Sequence, residues 1–170
     1  MIAEFNIREA VASDRGAIKA LVERAFGIAA EASLVEMLAA EGSIVLELVA
    51  EKQGKLLGHV AFSRLVVETG QAQAQAPAVA LAPVSVEPDA QACGIGTALI
   101  TRAHALLEER NETLSIVLGD PDYYGRFGYA HDRAAGFDSD YQCAQLQARV
   151  FSDSAPEVGR LVYPRAFDRL

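Results

Sequence analysis

A glycine-rich loop between a strand pattern and a helix pattern is the first place where residue types and spacing suggest chemistry. Gln91, Gly94 and Gly96 follow the apolar segment 84–86 and lead into an amphipathic segment that begins at Gly94. Glycine has no Cβ, so its backbone can approach a ligand closely. Amides at a helix N-terminus also face the positive end of the helix dipole. The loop therefore predicts a binding site for a phosphate or pyrophosphate group.

Two common phosphate-binding motifs fit this loop poorly. A Walker P-loop requires Gly-Lys-Ser/Thr, whereas Thr97 follows Gly96 directly, which excludes it. A dinucleotide fingerprint needs glycine or alanine where Leu99 stands, and glycines directly after the strand, whereas residues 87–93 intervene. Asp120 nevertheless lies about 20 residues on, where a ribose-binding acid is expected. A nicotinamide-dependent oxidoreductase therefore stays open as a minor alternative.

A third motif, Q-x-x-G-x-G, matches the loop at Gln91, Gly94 and Gly96, and a second element follows downstream. Tyr124 and the pair Gly128-Tyr129 have the spacing of a Y-x-x-x-G-F element. In this order the segments resemble the GNAT superfamily of acyl-CoA-dependent N-acetyltransferases. The resemblance covers the strand L-A-P-V-S-V-E-P, the loop, the following helix and residues 118–129, and the tail 162–167 resembles one bacterial subgroup of predicted acetyltransferases.

The resemblance implies a cofactor, acetyl-CoA, and the residues that hold it. Those residues belong to the strand and to the loop: Val84, Ser85, Val86, Gln91, Ala92, Cys93, Gly94, Ile95, Gly96 and Thr97. The strand residues would pair through their backbone with pantetheine, and the loop amides would bind the pyrophosphate. Two features depart from the superfamily pattern: Ala92 and Cys93 stand where glycine or arginine is common, and Asp120 stands where asparagine is common.

The resemblance also implies a mechanism of direct attack in a ternary complex. A neutral amine attacks the acetyl thioester while a backbone amide near Val86 polarises the carbonyl. Tyr124, the one catalytic residue named, protonates or hydrogen-bonds the leaving sulfur, because a phenol with a pKa near 10 stays protonated at neutral pH. The base is not assigned. Pro83 occupies a place where some relatives carry an acid, and Glu47, Glu87 or water alone stay open.

Several other interpretations compete with this hypothesis. The two glycines could simply end a loop and start a helix, and Tyr124 could be a half-buried aromatic with a satisfied hydroxyl. A non-catalytic acyl-CoA-binding sensor or partner-binding module is the main alternative from another class. The presence of Tyr124 argues against such a module, and the absence of an obvious base argues for it.

Composition limits the partners. The chain has 170 residues, is 51% hydrophobic and carries a net charge of −8. It shows no cluster of lysine and arginine, so nucleic acid is not an expected partner. No apolar run is long enough to span a membrane, and residues 1–10 show no signal-peptide pattern. Cys93 and Cys143 are too few for a disulfide scaffold and lack metal-ligand spacing, so we expect no metal and a cytoplasmic location.

Hydrophobic periodicity predicts the elements that hold the site. Strands are expected at 5–11, 44–51, 56–68, 79–86 and 114–118, and helices from Ser13 to Gly27, at 31–40 and at 94–110. A turn is expected at Gln53-Gly54, a loop at 71–76, a helical turn around Tyr124, and strands and loops of low regularity from 129 onward. The expected fold is α/β (α+β): a GNAT-like single domain over residues 1–170, with a central, mixed but mostly antiparallel, twisted sheet flanked by helices.

The acceptor is expected to be an amine on a small molecule or a protein. Its pocket is predicted to form from residues 26–38, the loop 68–77 and the C-terminal third of the chain. The acidic charge balance favours polyamines, aminoglycosides or lysine-bearing partners. Homodimers occur in such folds, so a homodimer stays open.

Overall fold

One mixed sheet with helices on both faces organises the chain. The computed structural model describes residues 4–70 and 74–169. The strands are β1 (Asn6–Glu9), β2 (Ile44–Lys52), β3 (Lys55–Glu68), β4 (Gln75–Val86), β5 (Leu114–Leu118), β6 (Phe137–Asp138), β7 (Leu146–Val150) and β8 (Gly159–Val162). The helices are α1 (Arg15–Phe26), α2 (Ala30–Ala40), α3 (Ile95–Glu109), α4 (Pro121–Tyr124) and α5 (His131–Ala134).

The sheet follows the order β1-β2-β3-β4-β5-β7. Neighbouring strands in this path are antiparallel except β4 and β5, which run parallel. The short strand β8 pairs with the end of β3 and with β6. The expected mixed, mostly antiparallel sheet flanked by helices is confirmed.

Each face of the sheet packs against its own helices. On one face, α3 buries Leu99, Ile100 and Leu107 against strand residues that include Leu48 and Phe62. On the other face, α1 and α2 bury apolar side chains against β2 and β3. The apolar spacing of these helices therefore identified their buried faces.

Three local features refine the expected boundaries. The hairpin turn lies at Gln53 and Gly54, both with positive φ (50° and 78°), as a two-residue turn of this hand requires. The helix expected from Ser13 begins later: residues 12–14 form a 3₁₀ turn, and α1 starts at Arg15 with Asp14 at the cap position. β4 begins at Gln75 because the segment 75–81 pairs with β3, so the expected loop is shorter. Residues 71–73 of that loop lie outside the described residues.

The strands β4 and β5 pair over only a short stretch. Their partners are Val79 with Ser115, Ala80 with Ile116 and Leu81 with Val117. β4 then continues beside β3 to Val86, whereas β5 ends at Leu118. Within residues 4–70 and 74–169, the edge of β4 beyond Leu81 therefore has no strand beside it on the β5 side. We call this opening the β4–β5 gap.

In the described part of the chain, no helix is both long enough and apolar enough to cross a bilayer.

Candidate active site

The open edge of β4 presents backbone groups to the β4–β5 gap. The Glu87 amide donates to the Leu57 carbonyl of β3 at 2.8 Å. Successive backbone amides of a strand point to opposite edges, so the amides of Val86 and Val84 point away from β3 and into the gap. Ser85 differs, because its amide points toward β3; its buried side chain lies on the same face of the sheet as that of His59, its cross-strand partner. The predicted backbone role thus fits Val84 and Val86 best.

The glycine-rich loop joins the end of β4 to the start of α3. Gly94 is the N-cap of α3 with φ 86°, a left-handed conformation that glycine adopts without a Cβ penalty. The Gln91 side chain donates to the Val86 carbonyl at 3.2 Å and ties the loop to the strand. Ile95 is 1% exposed and anchors the helix start in the core, so only its amide can contact a ligand.

The loop leaves its backbone open to solvent. Gln91, Ala92, Cys93, Gly94 and Thr97 are exposed, while Gly96 is buried. The first amides of any α-helix have no acceptor within the helix, and here they lie next to the β4–β5 gap. This arrangement can bind an anionic group, as the loop motif predicts.

The two candidate bases are both engaged in ion pairs. Glu87 accepts three hydrogen bonds from Arg24, between 2.7 and 3.1 Å, and these bonds hold the pKa of its carboxyl below the usual range. Glu47 contacts Arg15, and its Oε2 lies 2.7 Å from His59 Nε2. Neither carboxylate lines the cavity described below.

Tyr124 ends the short helix α4 at the mouth of the β4–β5 gap. Asp120 caps this helix by accepting from the Asp122 amide at 2.9 Å, which gives the unusual aspartate a structural role. The ring of Tyr124 lies directly over Gly119, where an added Cβ would be 2.4 Å from Tyr124 Cε2. Burial, with a smaller contribution from Tyr123, raises the pKa of Tyr124 to about 12.

The other tyrosine of the motif has a structural role. The Tyr129 hydroxyl lies 2.8 Å from Ser115 Oγ and 3.0 Å from His104 Nε2, and burial raises the pKa of Tyr129 above its usual range. The Tyr124 hydroxyl makes no hydrogen bond with the part of the chain that the structure describes, and Tyr124 lines the adjacent cavity. Of the two hydroxyls, that of Tyr124 is the one available to a substrate.

A cavity of about 320 Å³ opens beside Tyr124. Residues of β4 and β5 form its floor, including Pro83 and Leu118. Phe26, Glu31 and Leu34 form the helical wall, and Tyr141, Tyr163 and Phe167 form the C-terminal wall. Two of the three predicted pocket segments therefore contribute. None of the described residues of the loop 68–77 lines the cavity, and residues 71–73 lie outside the described residues.

In residues 4–70 and 74–169, no three His, Cys, Asp or Glu side chains come together in a way that could hold a metal ion.

Three features of the site were not predicted from sequence. The predicted segment 26–38 lies in the pocket, but the sequence did not single out Glu31 as the one charged lining residue among those described. Gly119 makes room for the Tyr124 ring, and Tyr129 is held by buried polar partners. Gly119 directly follows the predicted strand 114–118, and a glycine at that place could have indicated the close approach of another side chain. No local pattern marked Glu31 within the segment 26–38, because three residues that line the cavity with it, Tyr141, Tyr163 and Phe167, lie more than a hundred positions away.

Comparison with known proteins agrees with this geometry. The family profile of the acetyltransferase (GNAT) domain matches residues 6–131. The uncharacterized N-acetyltransferase YhbS of Escherichia coli K12 is 34% identical over 148 residues, which cover 82% of this chain and 86% of YhbS. A second E. coli protein, the uncharacterized N-acetyltransferase YjhQ, is 35% identical over 119 residues, 69% of this chain and 65% of that protein.

Solved structures show the same similarity. The crystal structure of E. coli YhbS in complex with CoA superposes with a TM-score of 0.86, at 28% identity, over 97% of this chain and 92% of that one. The crystal structure of a GNAT family acetyltransferase of Brucella melitensis in complex with acetyl-CoA superposes with a TM-score of 0.80, at 32% identity, over 97% of this chain and 99% of that one. On the matched profile and these relatives, the chain belongs to the GNAT family of acetyltransferases.

Proposed function

We propose that the protein transfers an acetyl group from acetyl-CoA to a primary amine by direct attack in a ternary complex. The observation that carries this proposal is the β4–β5 gap, which has the exposed loop at one end and the cavity beside Tyr124 at the other. The related structures from E. coli and B. melitensis hold CoA and acetyl-CoA. GNAT acetyltransferases act on an acceptor, and the amine is our proposal for it here.

The loop and the edge of β4 divide the binding of the cofactor between them. The amides of residues 92–97 bind the pyrophosphate at the N-terminus of α3. The amides of Val84 and Val86 pair with pantetheine along the open edge, while Ser85 supports the strand from its buried face. The Val86 amide also stabilises the carbonyl oxygen as negative charge develops on it.

Tyr124 acts on the leaving sulfur. A thiol has a pKa of about 8.5, whereas burial raises the pKa of Tyr124 to about 12. Full transfer of the phenolic proton to a thiolate is therefore unfavourable. Of the two predicted roles, a hydrogen bond from the hydroxyl to the sulfur fits the site better than protonation.

The alternatives left open by the sequence lose support. A non-catalytic acyl-CoA-binding module is not favoured, because Tyr124 presents an available hydroxyl to the cavity and the relatives are named as N-acetyltransferases. A nicotinamide-dependent oxidoreductase does not fit a chain of this family. We also propose a reducing compartment, the cytoplasm, since Cys93 and Cys143 are exposed free thiols.

Tyr124→Phe tests the proposed chemistry. A hydrogen bond to a charged group contributes about 1.5–3 kcal/mol, so we expect kcat for thiol release to fall by about 10- to 100-fold. Acetyl-CoA should stabilise the variant against thermal unfolding as much as it stabilises the wild type. Unchanged turnover with normal acetyl-CoA binding would show that Tyr124 has no role in the reaction.

A further inference from the structure

Glu31 carries a buried carboxylate oxygen without a partner. Its Oε2 is inaccessible to solvent and finds no hydrogen-bond partner in residues 4–70 and 74–169. Most buried polar atoms in proteins are hydrogen-bonded, and an unpaired one destabilises the fold. Glu31 also lines the cavity beside Tyr124. Because Oε2 itself is inaccessible, a molecule in the cavity contacts it only when the Glu31 side chain turns toward the cavity. Glu31 is the one charged side chain among the described residues that line the cavity, so a cation bound there would meet its carboxylate.

The surroundings of Glu31 provide no cation for it. The basic side chains of α1, the helix that packs against α2, are engaged elsewhere: Arg15 contacts Glu47, Lys19 lies 3.8 Å from Glu36, and Arg24 binds Glu87. No lysine, arginine or histidine is among the described residues that line the cavity. The complement of a single carboxylate in such a cavity is a single positive charge with N–H donors.

We propose that Glu31 binds the acceptor's ammonium group and accepts its proton, and that the acceptor is a small monoamine with an aromatic or aliphatic body. This inference rests on the proposed acetyl transfer and names the residue and the substrate class for it. The rest of the cavity wall is apolar or aromatic. Tyr163 packs against Tyr141 and Phe167 with ring centroids 5.2 and 5.1 Å apart, which forms an aromatic wall opposite Phe26 and Leu34.

The same wall disfavours acceptors with several charges. A polyamine or an aminoglycoside would bury further ammonium groups with no counter-charge in the described lining, which is costly. The volume of about 320 Å³ is also near the lower end of ligand pockets. The acidic surface attracts all cations over long range, whereas the cavity selects among them.

The proton and bond changes balance around Glu31. The bound ammonium gives one proton to the Glu31 carboxylate, and the neutral nitrogen forms a bond to the acetyl carbon. The carbon–sulfur bond breaks with its electron pair on the thiolate, which accepts a hydrogen bond from Tyr124. The nitrogen's second proton passes to the thiolate through water, and Glu31 releases the first to solvent. The products are the acetamide, free thiol and one proton.

The test compares Glu31→Gln with Glu36→Gln as a matched control. Both residues lie on α2 and both changes remove one negative charge, but Glu36 is about half exposed and faces Lys19. We measure kcat and KM for phenethylamine, hexylamine and spermidine, with acetyl-CoA saturating. For the wild type we expect kcat/KM to be at least about 10-fold higher for the two monoamines than for spermidine, as expected for one unpaired buried charge.

For Glu31→Gln we expect kcat/KM with phenethylamine to fall by about 10- to 100-fold, as loss of a charged hydrogen bond predicts. Glu36→Gln should stay within about twofold of the wild type. Glu31→Asp, which keeps the charge, should recover part of the activity and guards against a folding defect. Stabilisation by acetyl-CoA should be the same in all variants.

The outcomes separate this inference from the proposed function. If Glu31→Gln keeps wild-type kcat/KM, the role of Glu31 is refuted. If spermidine is the better substrate, or the monoamines are not acetylated, the substrate class is refuted, and neither result affects acetyl-CoA binding. If acetyl-CoA does not stabilise the wild type, the proposed function fails, and this inference fails with it.

Discussion

Gly119→Ala tests whether the position of the Tyr124 ring limits catalysis. A Cβ at this position would be 2.4 Å from Tyr124 Cε2 and 3.0 Å from Cδ2. Carbon atoms pack at about 3.5 Å or more, so the ring must move by about 1 Å. A displacement of 1 Å at a reacting group can lower the rate by about 100-fold. We therefore expect kcat to fall by about 10- to 100-fold while the KM for acetyl-CoA changes little.

Steady-state thiol release measures this effect, and Gly125→Ala is the matched control. Gly125 is adjacent to Tyr124, has φ −56° and ψ −31°, and has no atom within 4 Å of an added Cβ, so kcat should be unchanged. The double variant of Gly119→Ala with Tyr124→Phe shows whether the effect passes through the hydroxyl. Its kcat should match that of Tyr124→Phe alone, because neighbouring residues with a shared function are not additive.

Two results would refute this reasoning. Full activity in Gly119→Ala would mean that the ring position does not matter for the reaction. A loss in the double variant equal to the sum of the two single losses would mean that Gly119→Ala acts on something other than Tyr124.

Three further predictions concern stability. Burial raises the pKa of Tyr124 and of Tyr129 in the folded state. The free energy of unfolding should therefore fall as pH rises from about 10 to 12, by up to about 1.4 kcal/mol per pH unit for each tyrosine. Urea titrations at each pH measure this free energy, and a flat pH profile would contradict the prediction. Arg24→Ala should lower the thermal unfolding midpoint more than Glu87→Gln does. The Glu87 side chain is only 9% exposed, so its charge needs the cation, whereas Arg24 is 47% exposed and can be solvated without its partner. A lower midpoint for Glu87→Gln than for Arg24→Ala would refute this reasoning. Burial lowers the pKa of His104 to about 4 in the folded state. As pH falls from 6.5 to 4, only the unfolded chain takes up a proton at this group, so the free energy of unfolding should fall by about 3 kcal/mol. An NMR titration that returned a pKa near 6.5 for His104 would refute this prediction.

Elements with strong local patterns were predictable from the sequence. The amphipathic spacing of α3 and the apolar run of β5 gave their position to within one residue. The glycine motif predicted the loop between β4 and α3 because its requirement is local, a left-handed residue at the helix cap. The helical turn expected around Tyr124 is the short helix α4, which ends at that residue.

Features that depend on distant contacts were not predictable. The helix was expected from Ser13, but residues 12–14 form a 3₁₀ turn in which the Asp14 carboxylate accepts from the Val11 amide and from Arg8. The length of β4 depends on pairing with β3 rather than on its own low-complexity sequence. The cavity that Glu31 lines is formed by β4, β5 and the distant residues Tyr141, Tyr163 and Phe167. Such side chains gain their function from tertiary structure, which periodicity does not encode.

The most direct test of the central claim is the thermal unfolding midpoint measured with acetyl-CoA and with NAD. A ligand that binds only the folded state stabilises it by about 2.7 kcal/mol at a hundredfold excess over its dissociation constant. The proposed function predicts that acetyl-CoA raises the midpoint and that NAD leaves it unchanged, because Leu99 stands where a dinucleotide site needs its third glycine. A higher midpoint with NAD and no change with acetyl-CoA would contradict the assignment of the cofactor site.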